Sequence, residues 1–311
     1  MPIHMRAYAG VGDQQRMAEL AQTFPDGNLH VIDLPYRLSS WAFDHPENIG
    51  LWEDENRQLL AWTVLQTPFW AIDYAMHPIA FQQGILREML AWASSRAQQI
   101  RAQPNGRPMW FVHVRADQST YMHELEHAGF RSIEQDPDDP WSGLYLERLG
   151  RQTAPDATLP AGFTIRPLAG QQEVAAYVTL HQTVFGSPNM TIDWRTQTLQ
   201  RPEYVADLDL VVEGPDGQLV AFCVCWTAAT DHGTALTGQI EPLGVHPDFQ
   251  KLGLGRAVLL EDVRRMQDRG VAQMIVETDD YRDAAVALYQ AAGFEVTQKI
   301  IIYRKDVIAA E

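Results

Sequence analysis

Two stretches of the chain open alike: "MRAYAG" from Met5 is answered by "IRPLAG" from Ile165, an offset of 165 − 5 = 160. "NRQLLAWTV" from Asn56 is answered by "DGQLVAFCV" from Asp216 at the same offset. The offset drifts to 169 at "MHP" (Met76) against "VHP" (Val245), then to 164 at "HAGF" (His127) against "AAGF" (Ala291). Drift of this size is what loop-length differences produce inside a duplicated unit. A chain that repeats in this way must build one set of elements twice, so its 311 residues divide into two similar domains. The Pro, Ala and Thr mixture "RQTAPDATLP" at 151–160 is their natural junction. The expected boundaries are a first domain at 1–152, a linker at 153–160 and a second domain at 161–311.

Each half carries the same order of elements, most legibly the second. "FTIRPL" is a short strand, "QQEVAAYVTLHQTVF" an amphipathic helix, and "LDLVVEGPDGQLVAFCVCW" a hairpin turning at Pro215-Asp216-Gly217. "GQIEPLGVHP" is the next strand, followed by a helix with Leu259, Val263 and Met266 on one face and Gly270 as its stop signal. "VAQMIVET" is a buried strand, "DAAVALYQAAG" a helix ended by Gly293, and "FEVTQKIIIYRK" closing strand material. The fold class is therefore α/β, built on a mixed sheet.

The residues also bound the partners. Forty acidic against 24 basic side chains give a net charge of −16, which argues against nucleic acid or an anionic membrane as the partner. There is neither an apolar leader near Met1 nor an apolar stretch of spanning length, so the expected location is the cytoplasm. Cys223 and Cys225 lie on one side of an alternating strand, the pattern of reduced core thiols rather than of a disulfide framework.

"VHPDFQKLGLGRAVLL" at 245–260 places two glycines between a strand and a helix start, where open N–H groups and the helix dipole suit a phosphate or pyrophosphate. A Walker loop requires Gly-Lys-Ser/Thr, and Gly255 is followed by Arg256 and Ala257. A dinucleotide fingerprint requires a third small residue where Val258 stands.

With Gln250-x-x-Gly253-x-Gly255, "LGVHP" ahead of it and "ALYQAAGF" one strand and one helix later, the stretch resembles the GNAT superfamily of N-acetyltransferases. The resemblance covers about residues 163–305 and, through the repeat, reaches the first half, giving two tandem domains of one fold. It implies acetyl-CoA as co-substrate, an amine of a small molecule or peptide as acceptor and direct transfer in the second domain. The tandem layout is also similar to members that acetylate an amino sugar–cysteine conjugate. Gln250, Lys251, Leu252, Gly253, Leu254, Gly255, Arg256 and Ala257 would grip the pyrophosphate, and Leu243, Gly244 and Val245 would lie along pantetheine. Glu241 would be the general base, with Gln239 able only to orient, and Tyr289 would face the departing sulfur. A base is worth having, because deprotonating an amine of pKa about 10.4 at pH 7 costs about 4 to 5 kcal/mol. Where family members often carry Asn, this chain has Arg282, a group able to meet a phosphate at the adenosine end.

The first half is an internal control. Gly253 is matched by Gly84, but Gly255 by Leu86, Gln250 by Phe81, Glu241 by Ile72 and Tyr289 by Leu125. Loop, base and thiol partner are lost together, so the first domain is expected to be degenerate and without transfer activity. Its "HELEH" at 123–127 satisfies His-Glu-x-x-His, yet the extended zinc pattern fails at Phe130 and Ile133, and surface residues on a short helix are the better reading. No metal is expected. The aromatics from Phe185 to Trp194 either border the acceptor pocket or close the core, and His246 is expected as a turn residue. A non-catalytic acyl-CoA-binding protein is the rival of a different class.

Overall fold

The computed structural model describes residues 2–25, 28–104, 106–155, 158–230 and 235–307; Asp156 and Ala157 of the expected linker lie outside them. The chain divides into two units, Met1–Gly143 with Lys299–Glu311, and Leu144–Gln298.

The first unit runs β1 (Ile3–Ala7), α1 (Val11–Thr23), α2 (Leu34–Leu38), β2 (Ile49–Asp54), β3 (Leu59–Gln66), β4 (Ala71–Met76), α3 (Pro78–Gln82), α4 (Ile85–Arg101), β5 (Met109–Arg115), α5 (Ser119–His127) and the two-residue β6 (Arg131–Ser132). The second runs β7 (Gly143–Leu149), β8 (Thr164–Pro167), α6 (Val174–Phe185), α7 (Ile192–Leu199), β9 (Asp209–Glu213), β10 (Leu219–Thr230), β11 (Ala235–Val245), α8 (Leu254–Asp268), β12 (Gln273–Asp279) and α9 (Asp283–Ala291), and β13 (Glu295–Asp306) starts in the second unit and from Lys299 onward belongs to the first. The expected mixed α/β sheets are present: β1 to β4 are antiparallel neighbours, β4 and β5 pair in parallel, and β8–β9–β10–β11 with parallel β12 repeat that arrangement.

The alternation of "FEVTQKIIIYRK" specifies a strand but not its partner. In the structure the last half of β13 pairs antiparallel with β5, from Ile300–Arg115 to Asp306–Met109, and Ile301 and Tyr303 join the first unit's core. β7, from the end of the first repeat, lies beside β12, with Leu146 in the second unit's core. The two repeats have thus exchanged their closing strands.

A pair of basic residues marks the exchange. Arg148 on β7 donates from Nε to the carbonyl of Ala292, the C-cap of α9, at 3.0 Å. Lys305 on β13 donates from Nζ to the carbonyl of Ala128, the C-cap of α5, at 2.6 Å. A cation at a helix C-terminus satisfies an orphan carbonyl and complements the dipole. Helix α8 buries Leu254, Val258, Leu259, Val263 and Met266 against the sheet, and burial of each such side chain contributes about 1.5–3 kcal/mol. Gly270, with φ 75°, ends the helix as the sequence indicates.

Candidate active site

The site is built where two neighbouring strands part. β11 and β12 keep parallel register from Thr237–Gln273 to Ile240–Val276, although β11 continues to Val245 and β12 to Asp279. On the other flank of β11 the register with β10 shifts: Cys225 faces Ile240 while Cys223 faces Leu243, so three steps on β11 answer two on β10. This is a bulge at Glu241–Pro242, whose peptide bond is cis. The Glu241 carbonyl accepts from Trp226 Nε1 at 2.9 Å, which anchors the bulge to the buried indole. Gln239, next to the last paired residue, is buried in the strand.

The loop that follows carries its strain on a few residues. His246 Nδ1 accepts from the Asp248 N–H at 3.2 Å, the turn role expected for it, and His77 does the same for Ile79 in the first unit at 3.0 Å. Lys251 has φ 62° and Gly253 φ 82°, so the chain passes twice through the left-handed region before α8 starts. Gly253 is the N-cap, and no side chain caps the helix. A helix start of this kind presents backbone N–H donors and a positive dipole end. At Gly255 an added Cβ would lie 3.1 Å from Val245 Cγ2, so glycine lets the helix start lie close against β11. At Gly244 it would lie 2.6 Å from Val184 Cγ1 and 2.7 Å from the Phe222 ring, a second close approach. Gln250, Lys251 and Leu252 are exposed, Leu243, Val245 and Arg256 half-buried, and Leu254 and Ala257 buried beneath the loop.

Tyr289, on α9, is buried with its ring edge-on to Phe294 at 6.1 Å. Burial pushes its phenol well above the ordinary tyrosine value, and Cys223 and the Glu241 carboxylate push it further up. Glu241 acts in the same direction on Tyr177 of α6, raised mainly by burial. The carboxylate is therefore within electrostatic reach of both phenols. Arg282, the N-cap of α9, pairs through Nε with Asp279 at 3.2 Å and is about half exposed.

Between α7 and β9 stands a buried polar group that the sequence did not reveal. Arg195 on α7 and Asp209 on β9 form an ion pair with both side chains fully buried, and Tyr204 donates its hydroxyl to the same Asp209 Oδ2 at 2.6 Å. The Arg195 guanidinium lies 3.7 Å from the centre of the Tyr177 ring. The one signal available was the position of Arg195 beside Trp194 in a short helix, indistinguishable from a solvated face. Of the aromatics between Phe185 and Trp194, Trp194 is core, while Phe185 is partly exposed and packs on His181 at 4.6 Å. Cys223 and Cys225 are free and buried as expected, and face the buried carboxyl of Asp262. Burial, together with the neighbouring thiol of Cys223, raises that carboxyl well above the usual range.

The first unit repeats the frame without these groups. Gly84 again caps its helix in the left-handed region, at φ 79°. Leu86, Ile72 and Leu125 are all core residues. Glu124 of "HELEH" is held by Arg87 through two bonds of 2.5 and 2.7 Å, and His127 Nδ1 lies 2.9 Å from the His123 carbonyl. Among the described residues the cluster able to offer three close metal ligands is Cys223, Cys225 and Asp262, and "HELEH" contributes to none.

With this geometry in place, comparison with known proteins is informative. The family model "Acetyltransferase (GNAT) family" matches residues 174–294. Mycothiol acetyltransferase of Thermobifida fusca is 29% identical over 180 residues, 51% of this chain and 55% of the relative. That of Salinispora tropica is 31% identical over 146 residues, 45% and 47% of the two chains. The chain thus spans about half the length of these curated relatives. A tandem GNAT protein from the clavulanic acid biosynthesis pathway covers the whole chain, at a TM-score of 0.67 and 12% identity. A GCN5-related N-acetyltransferase from Sphaerobacter thermophilus covers 99% of this chain and 98% of its own, at a TM-score of 0.64 and 20% identity. These last two likenesses show the fold. No helix among the described residues is long and apolar enough to cross a membrane. The loop, the splayed strands and the family match fall on the same segment, and that segment is similar to the GNAT acetyltransferases.

Proposed function

We propose that the second unit transfers the acetyl group of acetyl-CoA to an amine of a small molecule. The observation that carries this reading is the uncapped start of α8 at Gly253, set beside the place where β11 leaves β12. The residues fit the ligand: the N–H groups of Gln250 and Ala257 are held by the carbonyls of Pro247 and Gly253, and those from Lys251 to Arg256 between them meet a pyrophosphate, while the free edge of Leu243, Gly244 and Val245 meets the amides of pantetheine. Bound there, acetyl-CoA supplies a thioester. Glu241 takes the proton from the attacking amine, directly or through one water. Tyr289 keeps its proton and donates a hydrogen bond to the developing thiolate, since a phenol raised by burial is a poorer acid than a thiol of pKa about 8.5. Arg282, about half exposed, exchanges its half-buried partner Asp279 for a phosphate. The resemblance to mycothiol acetyltransferases supports a small-molecule acceptor, and the protein acts in the cytoplasm without a metal.

The test is thiol release from acetyl-CoA with a panel of small amines. Turnover with at least one amine is expected; tight CoA binding with no turnover on any amine favours an acyl-CoA-binding protein instead. Tyr289→Phe should lower kcat by about thirtyfold with the Kd for CoA unchanged, the value of one hydrogen bond to a charged group. Because the phenol is raised, kcat should show no loss of activity from its ionisation up to pH 10; a descending limb below that pH, absent in Tyr289→Phe, would contradict the assigned role. Gly255→Leu, which copies Leu86 of the first unit, should raise the Kd for CoA by about tenfold. Its side chain must push the start of α8 off Val245, and overpacking of this sort costs about 1–3 kcal/mol.

A further inference from the structure

The first unit contains a cavity of about 190 Å³ that the proposed acetyl transfer does not use. Ile72, Ala97, Trp110, Phe130 and Val307 give it an apolar lining. Lys305 and Ser94 stand at its wall, and the ammonium donates to Ser94 Oγ at 2.9 Å and to the Ala128 carbonyl at 2.6 Å. Those bonds use two of its three N–H donors. Lys305 is the direct cross-strand partner of Trp110, so cation and indole share one register position of the β5–β13 ladder. The carboxylate of Asp306, also in the lining, is taken by Arg131 at 2.9 Å and Arg304 at 2.8 Å.

The duplication explains why the space is open. Gly84 and Gly253 are equivalent helix caps, 253 − 84 = 169 positions apart. At that offset Ser94 answers Val263 and Ala97 answers Met266, both fully buried in the second unit. Lys305 answers Arg148, whose guanidinium fills its own site by bonding the carbonyls of Ala292, Leu149 and Gln152. The first unit has kept the cation at the helix C-terminus and removed hydrocarbon above it. Protein interiors are close-packed, and a dry cavity of about 150 Å³ is enough to take up benzene.

We propose that the first unit binds a small aromatic carboxylate in this cavity, its ring against Trp110 and Phe130 and its carboxylate on the Lys305 ammonium. The lining decides the class. An apolar body is required by the five hydrophobic side chains, and an acceptor by a cation with a donor to spare. Thus the unit that lacks the glycine loop carries a ligand site of its own, completed by the last strand of the chain.

The experiment is calorimetric titration of the full chain with benzoate and, as neutral probe, toluene. Benzoate should bind the wild type with a Kd in the millimolar range or tighter. Lys305→Met should weaken benzoate by about tenfold and leave toluene unchanged, a single charge-assisted contact being lost. Ala97→Met, which restores the side chain the second unit uses, should abolish binding of both. Ser94→Val is the second filling variant should Ala97→Met fail to fold. No benzoate binding by the wild type overturns the proposal, as does unchanged binding in a folded filling variant. Toluene binding without benzoate binding overturns the assignment of Lys305.

Discussion

Glu241→Gln should lower kcat/KM at pH 7 by about a thousandfold, within the range of about 10²–10⁴ that a positioned base contributes. The pH profile separates a base from a structural glutamate. With Glu241 present, the bound ammonium is deprotonated in the site, and the rate above the carboxylate range depends little on pH. In the variant the reactive species is the amine already neutral in solution, so the rate should rise about tenfold for each pH unit until the amine pKa is reached, about 10.4 for a lysine-like acceptor. The deficit therefore narrows as pH rises. A variant whose rate is low but parallel to the wild type at every pH would show that Glu241 positions the bulge rather than takes the proton. The bulge itself should survive, because it is anchored through the backbone carbonyl to Trp226.

Asp209→Ala should destabilise the protein by about 3–5 kcal/mol, measured as the loss in unfolding free energy in urea. The size follows from what is left behind. Arg195 and Asp209 are both wholly buried, and the deletion strands a guanidinium in the core. Tyr204 loses its acceptor in the same step. The double variant Arg195→Met with Asp209→Leu should recover most of the loss, since an apolar pair of similar volume removes both desolvation costs. A loss of under about 1 kcal/mol in the single variant would mean that water reaches the pair, and that Arg195 is not the fixed floor beneath Tyr177.

The sequence made the loop and its frame legible because their physics is local. Glycines at Gly253 and Gly255, the helical spacing of Leu259, Val263 and Met266, and the turn at Pro215–Gly217 all express constraints a few residues long. The repeat added a comparison within one chain, so the loss of a second glycine at Leu86 was visible without a structure. What escaped depends on partners far away in the chain. The pattern of "FEVTQKIIIYRK" says strand but cannot say that Ile300–Asp306 pairs with Met109–Arg115. Arg195 and Asp209 look like surface charges until the fold brings them together. The substitutions Ser94 for Val263 and Ala97 for Met266 are visible in the repeat, but the volume they open depends on how β13 covers β5.

The exchange of closing strands sets an order on how the chain can be made. β5 has no partner on its outer edge until Ile300–Asp306 arrive, and these follow Arg115 by 300 − 115 = 185 positions in the chain. The first half of the protein is therefore synthesised with a sheet edge exposed, the state most prone to wrong pairing. It can close only once Ile300–Asp306 have been made. The same edge makes a cut at the linker damaging: residues 1–152 alone would keep β7, which belongs to the second unit, and would lack the strand that completes their own sheet.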